Sequence, residues 1–231
     1  MIFVTGDTHR LIDVEKLNTE NFPEQKLMTR DDYLIIAGDF GGVWSGNEKD
    51  NEPLEFFNSK NYTTLFVAGN HENYDALYSY PVEEWNGGKV HRIRENVLHL
   101  MNGEIFNIDG RSIFVMGGAT SVDKMFREEG ISWWKEEEPS MDELANGLDH
   151  LEAVGHKVDY IITHTCPEKV RNVVFEAYQD FIKYQSRVEQ FLDVVYEKTD
   201  YTKWYCGHIH IDKELLDYRI RVLYRGVVKL G

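Results

Sequence analysis

An α/β fold is predicted for this chain by three kinds of segment. Three short apolar runs end in glycine followed by a polar residue: Ile2-Phe-Val-Thr-Gly-Asp7-Thr-His9, Tyr33-Leu-Ile-Ile-Ala-Gly-Asp39-Phe-Gly-Gly42 and Leu65-Phe-Val-Ala-Gly-Asn70-His71-Glu72. A central stretch alternates apolar and polar residues with period two, and residues 140–154 carry the 3.6-residue period of an amphipathic helix. Continuous apolar runs suit strands buried on both faces, and a glycine such as Gly38 lets the backbone turn sharply at the strand end. The polar residue that follows is then held at the rim of a sheet, where open α/β folds bind ligands. Asp39 is read as the oxygen ligand at the centre of one shared site.

Taken in order, strand one delivers Asp7 and His9. In near-extended backbone, residues two apart point the same way, so both reach one cation. Arg10 follows directly. After Asp39 comes a glycine-rich loop with Trp44, then a helix over residues 52–59 with Pro53 in its first turn and Leu54, Phe56 and Phe57 toward the core. Strand three ends in Gly69-Asn-His-Glu72, and residues 74–78 begin a helix. Pro81 and Gly87-Gly88 mark a loop. Residues 97–100, 104–108 and 111–116 read as an antiparallel meander, with Asn102-Gly103 and Asp109-Gly110 as hairpin turns. Ser140 and Glu143 form a capping box after Pro139, Leu144, Leu148, Leu151 and Val154 make one stripe, and Gly155 closes the helix. Residues 160–163 form a strand that delivers His164. A longer helix is expected over residues 175–197, carrying Tyr178, Phe181, Ile182, Val188, Leu192 and Val195 on a core-facing stripe. Residues 203–206 lead to Gly207-His208-Ile209-His210, and residues 214–230 read as two or three antiparallel strands.

Composition narrows the function. The chain has 231 residues, 42% of them apolar, which is enough for a sizeable core, and a single domain over residues 1–231 is expected. Forty acidic residues against 25 basic ones give a net charge of −15, which argues against an extended surface tracking long nucleic acid. A small anionic substrate stays compatible, because bound divalent cations reverse the local sign. No apolar run approaches the ~20 residues that cross a bilayer, and the start Met1-Ile-Phe-Val has no basic leader region, so a cytoplasmic enzyme without a membrane partner is expected. Cys166 and Cys206 are expected as buried thiols lying close together, since each stands two positions from a strand-end histidine. The oligomeric state is left open.

The strand-end groups are Asp7, His9, Asp39, Asn70, His164, His208 and His210. Seven are too many for one tetrahedral zinc, and no thiolate is among them; they suit two cations that share a bridging carboxylate. Taken singly, a strand-end Asp or His is more often a turn or cap residue. Five of the nine histidines, however, fall at strand ends beside Gly, Asp, Asn or Thr, and independent structural explanations for all five lose force. The ordered set Asp7-x-His9, Gly38-Asp39, Gly69-Asn-His-Glu72, His164 and Gly207-His-x-His210 resembles the calcineurin-like metallophosphoesterase superfamily over residues 5–210.

That resemblance implies a four-layer α/β/β/α sandwich of two mixed sheets, with the meander and the C-terminal strands in the second sheet. It implies that Asp7, His9 and His210 hold one metal, that Asn70, His164 and His208 hold the other, and that Asp39 bridges them. Two cations ~3.5–4 Å apart clamp a phosphoryl group, and the hydroxide between them attacks phosphorus in line. His71, as imidazolium, stabilises or protonates the departing oxygen. Mixed oxygen and nitrogen ligation favours manganese or iron over magnesium and admits zinc. The expected substrates are phosphomonoesters or small phosphodiesters; a nuclease and a non-enzymatic scaffold are the alternatives, lowered respectively by the acidic charge and by the survival of all seven ligands and His71.

The chain departs from one branch of that superfamily. Phosphoprotein phosphatases continue the second block as Gly-Asp-x-x-Asp-Arg, whereas here those positions are Gly42 and Val43, which points to the small bacterial and phage-type enzymes. Asp75 or Glu72 is left to orient His71, and Arg10 or Arg127 to grip phosphate beside Asn70. Residues 120–138, with Arg127 and Trp133-Trp134, are expected to form a substrate-selecting lid; the alternative is that a tryptophan packs on the sheet.

Overall fold

The computed structural model describes residues 1–175 and 184–231. The described strands are β1 (Ile2–Thr5), β2 (Tyr33–Ala37), β3 (Thr63–Val67), β4 (Val82–Trp85), β5 (Gly88–Arg94), β6 (Val97–Leu100), β7 (Ile105–Ile108), β8 (Arg111–Met116), β9 (Tyr160–Thr163), β10 (Lys203–Cys206), β11 (Lys213–Leu215), β12 (Ile220–Val222) and β13 (Val227–Lys229). The helices are α1 (Asn51–Asn58), α2 (Tyr74–Leu77), α3 (Met141–Ala153), α4 (Glu168–Phe175) and α5 (Arg187–Lys198). One mixed sheet runs β13-β1-β2-β3-β6-β5-β4 and the other β11-β12-β10-β9-β8-β7.

Four layers need three apolar interfaces, and the period-two strands supply them. Along β2, Leu34 and Ile36 pack outward with Leu54 and Phe57 of α1, while Ile35 and Ala37 pack inward against the second sheet. In the second sheet, Ile113 and Val115 of β8 and Ile162 of β9 face the first sheet. Phe114, Met116, Ile161 and Trp204 face the helical side, where Leu144, Val170 and Leu192 of α3, α4 and α5 cover them. Each such side chain, fully buried, contributes about 1.5–3 kcal/mol of transfer free energy. Both faces of the central strands are dry, which explains their unbroken apolar runs.

The helix over residues 140–154 forms as expected: Ser140 accepts from the Glu143 N–H while Glu143 reaches back to Ser140. Several other expectations are corrected. The Asp109-Gly110 turn does join an antiparallel hairpin, β7 to β8. Residues 97–100, however, belong to the first sheet, where β6 pairs parallel with β3 and antiparallel with β5. Asn102-Gly103 therefore marks the crossing between sheets rather than a hairpin. A hairpin lies just before it, because Asn86 and Gly87 both have positive φ and join β4 to β5. The C-terminal strands divide: β11 and β12 extend the second sheet, and β13 pairs antiparallel with β1. The helix expected over residues 175–197 is not continuous, since residues 184–186 are irregular and the Ser186 side chain caps α5; Tyr178, Phe181 and Ile182 lie outside the described residues. No helix among the described residues is long and apolar enough to cross a membrane.

Trp134 packs into the outer core with its indole N–H donating to Asp75 Oδ2 at 2.9 Å, so this tryptophan is structural. Trp134→Ala is expected to destabilise the protein by about 3–5 kcal/mol in urea unfolding, as truncation of buried aromatics does. A stability within about 1 kcal/mol of the parent would show instead that the tryptophan is free to move with its loop.

Candidate metal centre

β1, β2 and β3 run parallel, as do β9 and β10, so their carboxyl ends share one rim of the sandwich. All seven strand-end groups arrive there. Asp7 and Asp39 are buried, Asn70 and His164 are buried beside them, and His210 remains 47% exposed at the outer edge. Asp39 Oδ2 lies 3.2 Å from His9 Nε2, and Asp39 Oδ1 lies 3.3 Å from His164 Nε2. Its two oxygens thus face two different sets of groups. On the His9 side, Asp7 Oδ2 is 3.0 Å from His210 Nε2, and the ligand atoms of Asp7, His9, Asp39 and His210 all fall within 4.8 Å of one another. On the other side, His164 Nε2 is 3.1 Å from Asn70 Oδ1, and the His164 and His208 rings are 4.9 Å apart.

Glycines make this convergence sterically feasible. A Cβ on Gly38 would lie 2.0 Å from His164 Nδ1, one on Gly69 2.1 Å from Asp39 Oδ1, and one on Gly207 2.2 Å from Asp7 Oδ1. The motif glycines therefore clear space for a ligand from another strand, a role that sequence reading assigned only to turning the chain. Asp7 and His9 do not reach the cluster through extended backbone, as the sequence suggested. β1 ends at Thr5, and His9 is left-handed with φ of 43°.

Electrostatics fit a site built for cations. Burial opposes ionisation of Asp39, yet His164, His9 and His71 hold its carboxyl well below the usual range. Burial likewise opposes charge on His9, but Asp39, Asp13 and Asp7 raise it to about 9. His164 is raised to about 9 against its burial by Asp39, Asp7 and the Ala37 carbonyl. In the metal-free protein these imidazolium protons supply the positive charge that buried carboxylates require. Desolvation and His164 push His208 down to about 3, leaving it a neutral ligand. Two carboxylates, an amide oxygen and four imidazoles match the donors that borderline divalent cations prefer, so the residues fit such ions.

The supporting residues differ from those foreseen. Glu72 accepts from the Gly41 N–H at 3.2 Å, with burial and the Asp39 charge pushing it up to about 8, and Asp75 is engaged by Trp134. Neither carboxylate is bonded to the His71 ring, which packs near His9 and Trp44, with ring centroids 5.4 and 6.5 Å away. Burial, with the Arg127 and His9 charges, lowers His71 despite Asp39. Arg10 donates to the Lys49 carbonyl and lies 3.5 Å from Asp50, outside the cavity. Arg127, by contrast, lines a cavity of about 370 Å³ together with Asp39, Asn70, His71, His208 and His210. It is steadied there by Asp123 at 2.7 Å.

Sequence reading missed two partners. Asp13 Oδ2 accepts from His9 Nδ1 at 2.7 Å, and Ser121 Oγ accepts from Asn70 Nδ2 at 3.1 Å, which turns the Asn70 oxygen toward His164. The four-residue spacing of His9 and Asp13 is a visible signal; nothing in the sequence marks Ser121. Cys166 and Cys206 are buried and free, and a bond to Cys206 together with burial pushes the Cys166 thiol well up, as expected for close neighbours.

Ligation of a cation by His9 and His164 would displace their protons, so affinity for Mn²⁺ is expected to rise between pH 6.5 and 9, with measurable proton release. The metal-free protein should behave in the opposite sense. Both pKa values are raised on folding, so their stabilisation is complete below about 6.5 and is lost as pH climbs through about 9. Calorimetric titration in buffers of different ionisation enthalpy and melting curves across that range check the two signs.

The sequence profile of the calcineurin-like phosphoesterases matches residues 1–212. No curated protein sequence matches the chain at a significant level. Among solved structures, a candidate 5′-nucleotidase from Staphylococcus aureus in complex with α-ketoglutarate superposes with a TM-score of 0.50 at 18% identity, covering 98% of this chain and 49% of that one. This chain therefore spans about half the length of that protein. Phosphopantetheinyl hydrolase from Mycobacterium tuberculosis gives a TM-score of 0.45 at 14% identity, covering 96% of this chain and 87% of that one. The calcineurin-like phosphoesterase YfkN from Bacillus subtilis gives 0.44 at 12%, covering 96% and 80%. The profile match, on two sheets that bring the expected groups to one rim, shows that this chain belongs to the calcineurin-like phosphoesterase family of metal-dependent phosphoester hydrolases.

Proposed function

We propose that the chain is a dinuclear phosphohydrolase acting on phosphomonoesters or small phosphodiesters. The observation that supports this reading is the division of Asp39, whose two oxygens face separate groups of ligands. Asp7, His9 and His210 would hold one ion, and Asn70, His164 and His208 the other. Two divalent cations, manganese or iron by donor type and zinc as a third choice, supply Lewis-acid charge at phosphate and acidify a water so that a nucleophile forms near neutral pH.

The protein's own groups then divide the remaining work. Asp39, held in its charged form, and Asp7 would fix the ions beside the cavity. Arg127 would meet the phosphate oxygens from the opposite wall, as a preorganised guanidinium does. His71 lines the same cavity, and burial lowers its pKa before substrate binds. An incoming phosphate dianion raises its pKa and favours the protonated form that donates to a leaving oxygen. The cavity suits a compact ester, and the acidic surface suits short substrates over long nucleic acid. Pairing of β13 with β1 supports reading residues 1–231 as one domain, and two free buried thiols suit a reducing, cytoplasmic setting.

Hydrolysis of p-nitrophenyl phosphate and bis-p-nitrophenyl phosphate with Mn²⁺, before and after chelation, tests the activity; no metal-dependent turnover of either would sink it. Asp39→Asn should cut kcat by at least about 100-fold with loss of bound metal, more than any arginine change. Arg127→Ala should raise KM by about tenfold and leave metal content intact, a loss of about 1.4 kcal/mol. His71→Ala should cost about 10²–10⁴ in kcat for alkyl phosphates and less for p-nitrophenyl phosphate, whose leaving group needs no proton.

A further inference from the structure

The segment after β11 folds back onto the metal centre from beyond the residues that match the family profile. Asp212 accepts the backbone N–H groups of Tyr224, Arg225 and Gly226 at 2.9–3.0 Å, which closes a tight loop between β12 and β13. Buried Lys16 latches that loop to the turn carrying Asp7, donating to the Gly6 carbonyl at 2.9 Å, the Asp7 carbonyl at 2.5 Å and the Tyr224 carbonyl. Tyr224 therefore has a fixed backbone, and its side chain touches one histidine of a proposed site directly and a second only through Asp13. Its ring stacks on His210, with centroids 4.7 Å apart and planes at 18°. Its hydroxyl donates to Asp13 Oδ1 at 3.0 Å, and Asp13 Oδ2 accepts from His9 Nδ1 at 2.7 Å.

We propose that Tyr224, directly on His210 and through Asp13 on His9, is a positioning residue for the Asp7–His9–His210 ion and not for its neighbour. The inference rests on the dinuclear reading. His9 and His210 both sit in left-handed backbone, with φ of 43° and 55°, on irregular segments that do not by themselves fix a ring. The Asp13 carboxylate holds the His9 proton on Nδ1 and leaves Nε2 for a cation, while the stacked phenol restricts rotation of the exposed His210 ring. His164 needs no such help: its Nδ1 donates to the Ala37 carbonyl at 3.0 Å, inside the sandwich. One ion is thus supported by sheet backbone and the other by a side-chain clamp.

The test is calorimetric titration of metal-stripped full-length protein with Mn²⁺, comparing wild type with Asp13→Asn, Tyr224→Leu and Tyr224→Phe. Asp13→Asn and Tyr224→Leu should each weaken one of two sites by about 10–100-fold and leave the other unchanged, as loss of a partner behind a ligating histidine does. Tyr224→Phe keeps the ring and folds conservatively, so a smaller loss at the same site is expected. Melting temperatures of the metal-free Tyr224 variants should match wild type, whereas metal-free Asp13→Asn should melt slightly lower below about pH 9, because Asp13 helps hold the His9 proton. Binding of both ions within about twofold of wild type in all variants would overturn the proposal, as would equal weakening of both sites with a lowered metal-free melting temperature. A wild type that binds one ion would sink the dinuclear reading, and the same variants would still decide whether Tyr224 acts on that ion.

Discussion

Two carboxylates, Asp7 and Asp39, stand buried at one rim of the sandwich, and the surrounding structure offsets the cost of burying them, holding the Asp39 carboxyl well below its usual range. An isolated anion in such a place would neutralise or leave. Here imidazoles from four loops, backbone donors and the space cleared by motif glycines hold the charge in place. The His208 N–H donates to both oxygens of Asp7 at 3.1 Å, and the His71 N–H donates to Asp39 Oδ1 at 2.8 Å. Protons on His9 and His164, both raised to about 9 by the neighbouring carboxylates, balance the charge of Asp39.

That demand shows in the backbone. Among the described residues, nine non-glycine residues have positive φ, and five of these are His9, Arg10, Asp39, His208 and His210. Left-handed conformations cost of order 1 kcal/mol each, so they persist only where neighbours over-determine them. The neighbours are visible: Thr8 and His9 donate to the Asp39 carbonyl at 3.0 and 2.8 Å, and Gly207 donates to the His164 carbonyl at 2.8 Å. These bonds tie each ligand loop to the next, so strand order and site geometry stabilise one another.

The two sides of the cavity are built differently. One side is lined by the residues that follow the strands: Asp39, Asn70, His208 and His210. The other includes Arg127 on a loop whose Met125 and Phe126 stand 79% and 86% exposed. Trp134 anchors the end of that loop in the core, while its tip stays exposed to solvent. Loops carried on a packed scaffold are the arrangement that lets one fold host many functions.

The sequence by itself determined the strands whose two faces are both buried, because an unbroken apolar run has only one stable environment. It also determined α3, where cap, stripe and terminal glycine agree, and which polar residues follow the buried strands, because an apolar run that stops at a glycine leaves the next side chain at the sheet's rim. Tertiary structure alone decided the rest. Assignment of β6 to the first sheet, against the Asn102-Gly103 turn signal, depends on pairing with a strand thirty residues earlier, and local patterns carry no information on distant partners. The same holds for Asp13, Ser121 and Tyr224, ordinary surface-type residues that acquire roles only through hydrogen bonds or stacking with partners brought near by folding. Arg10 and Arg127 were equivalent in the sequence; only packing sent one to Asp50 and the other to the cavity wall.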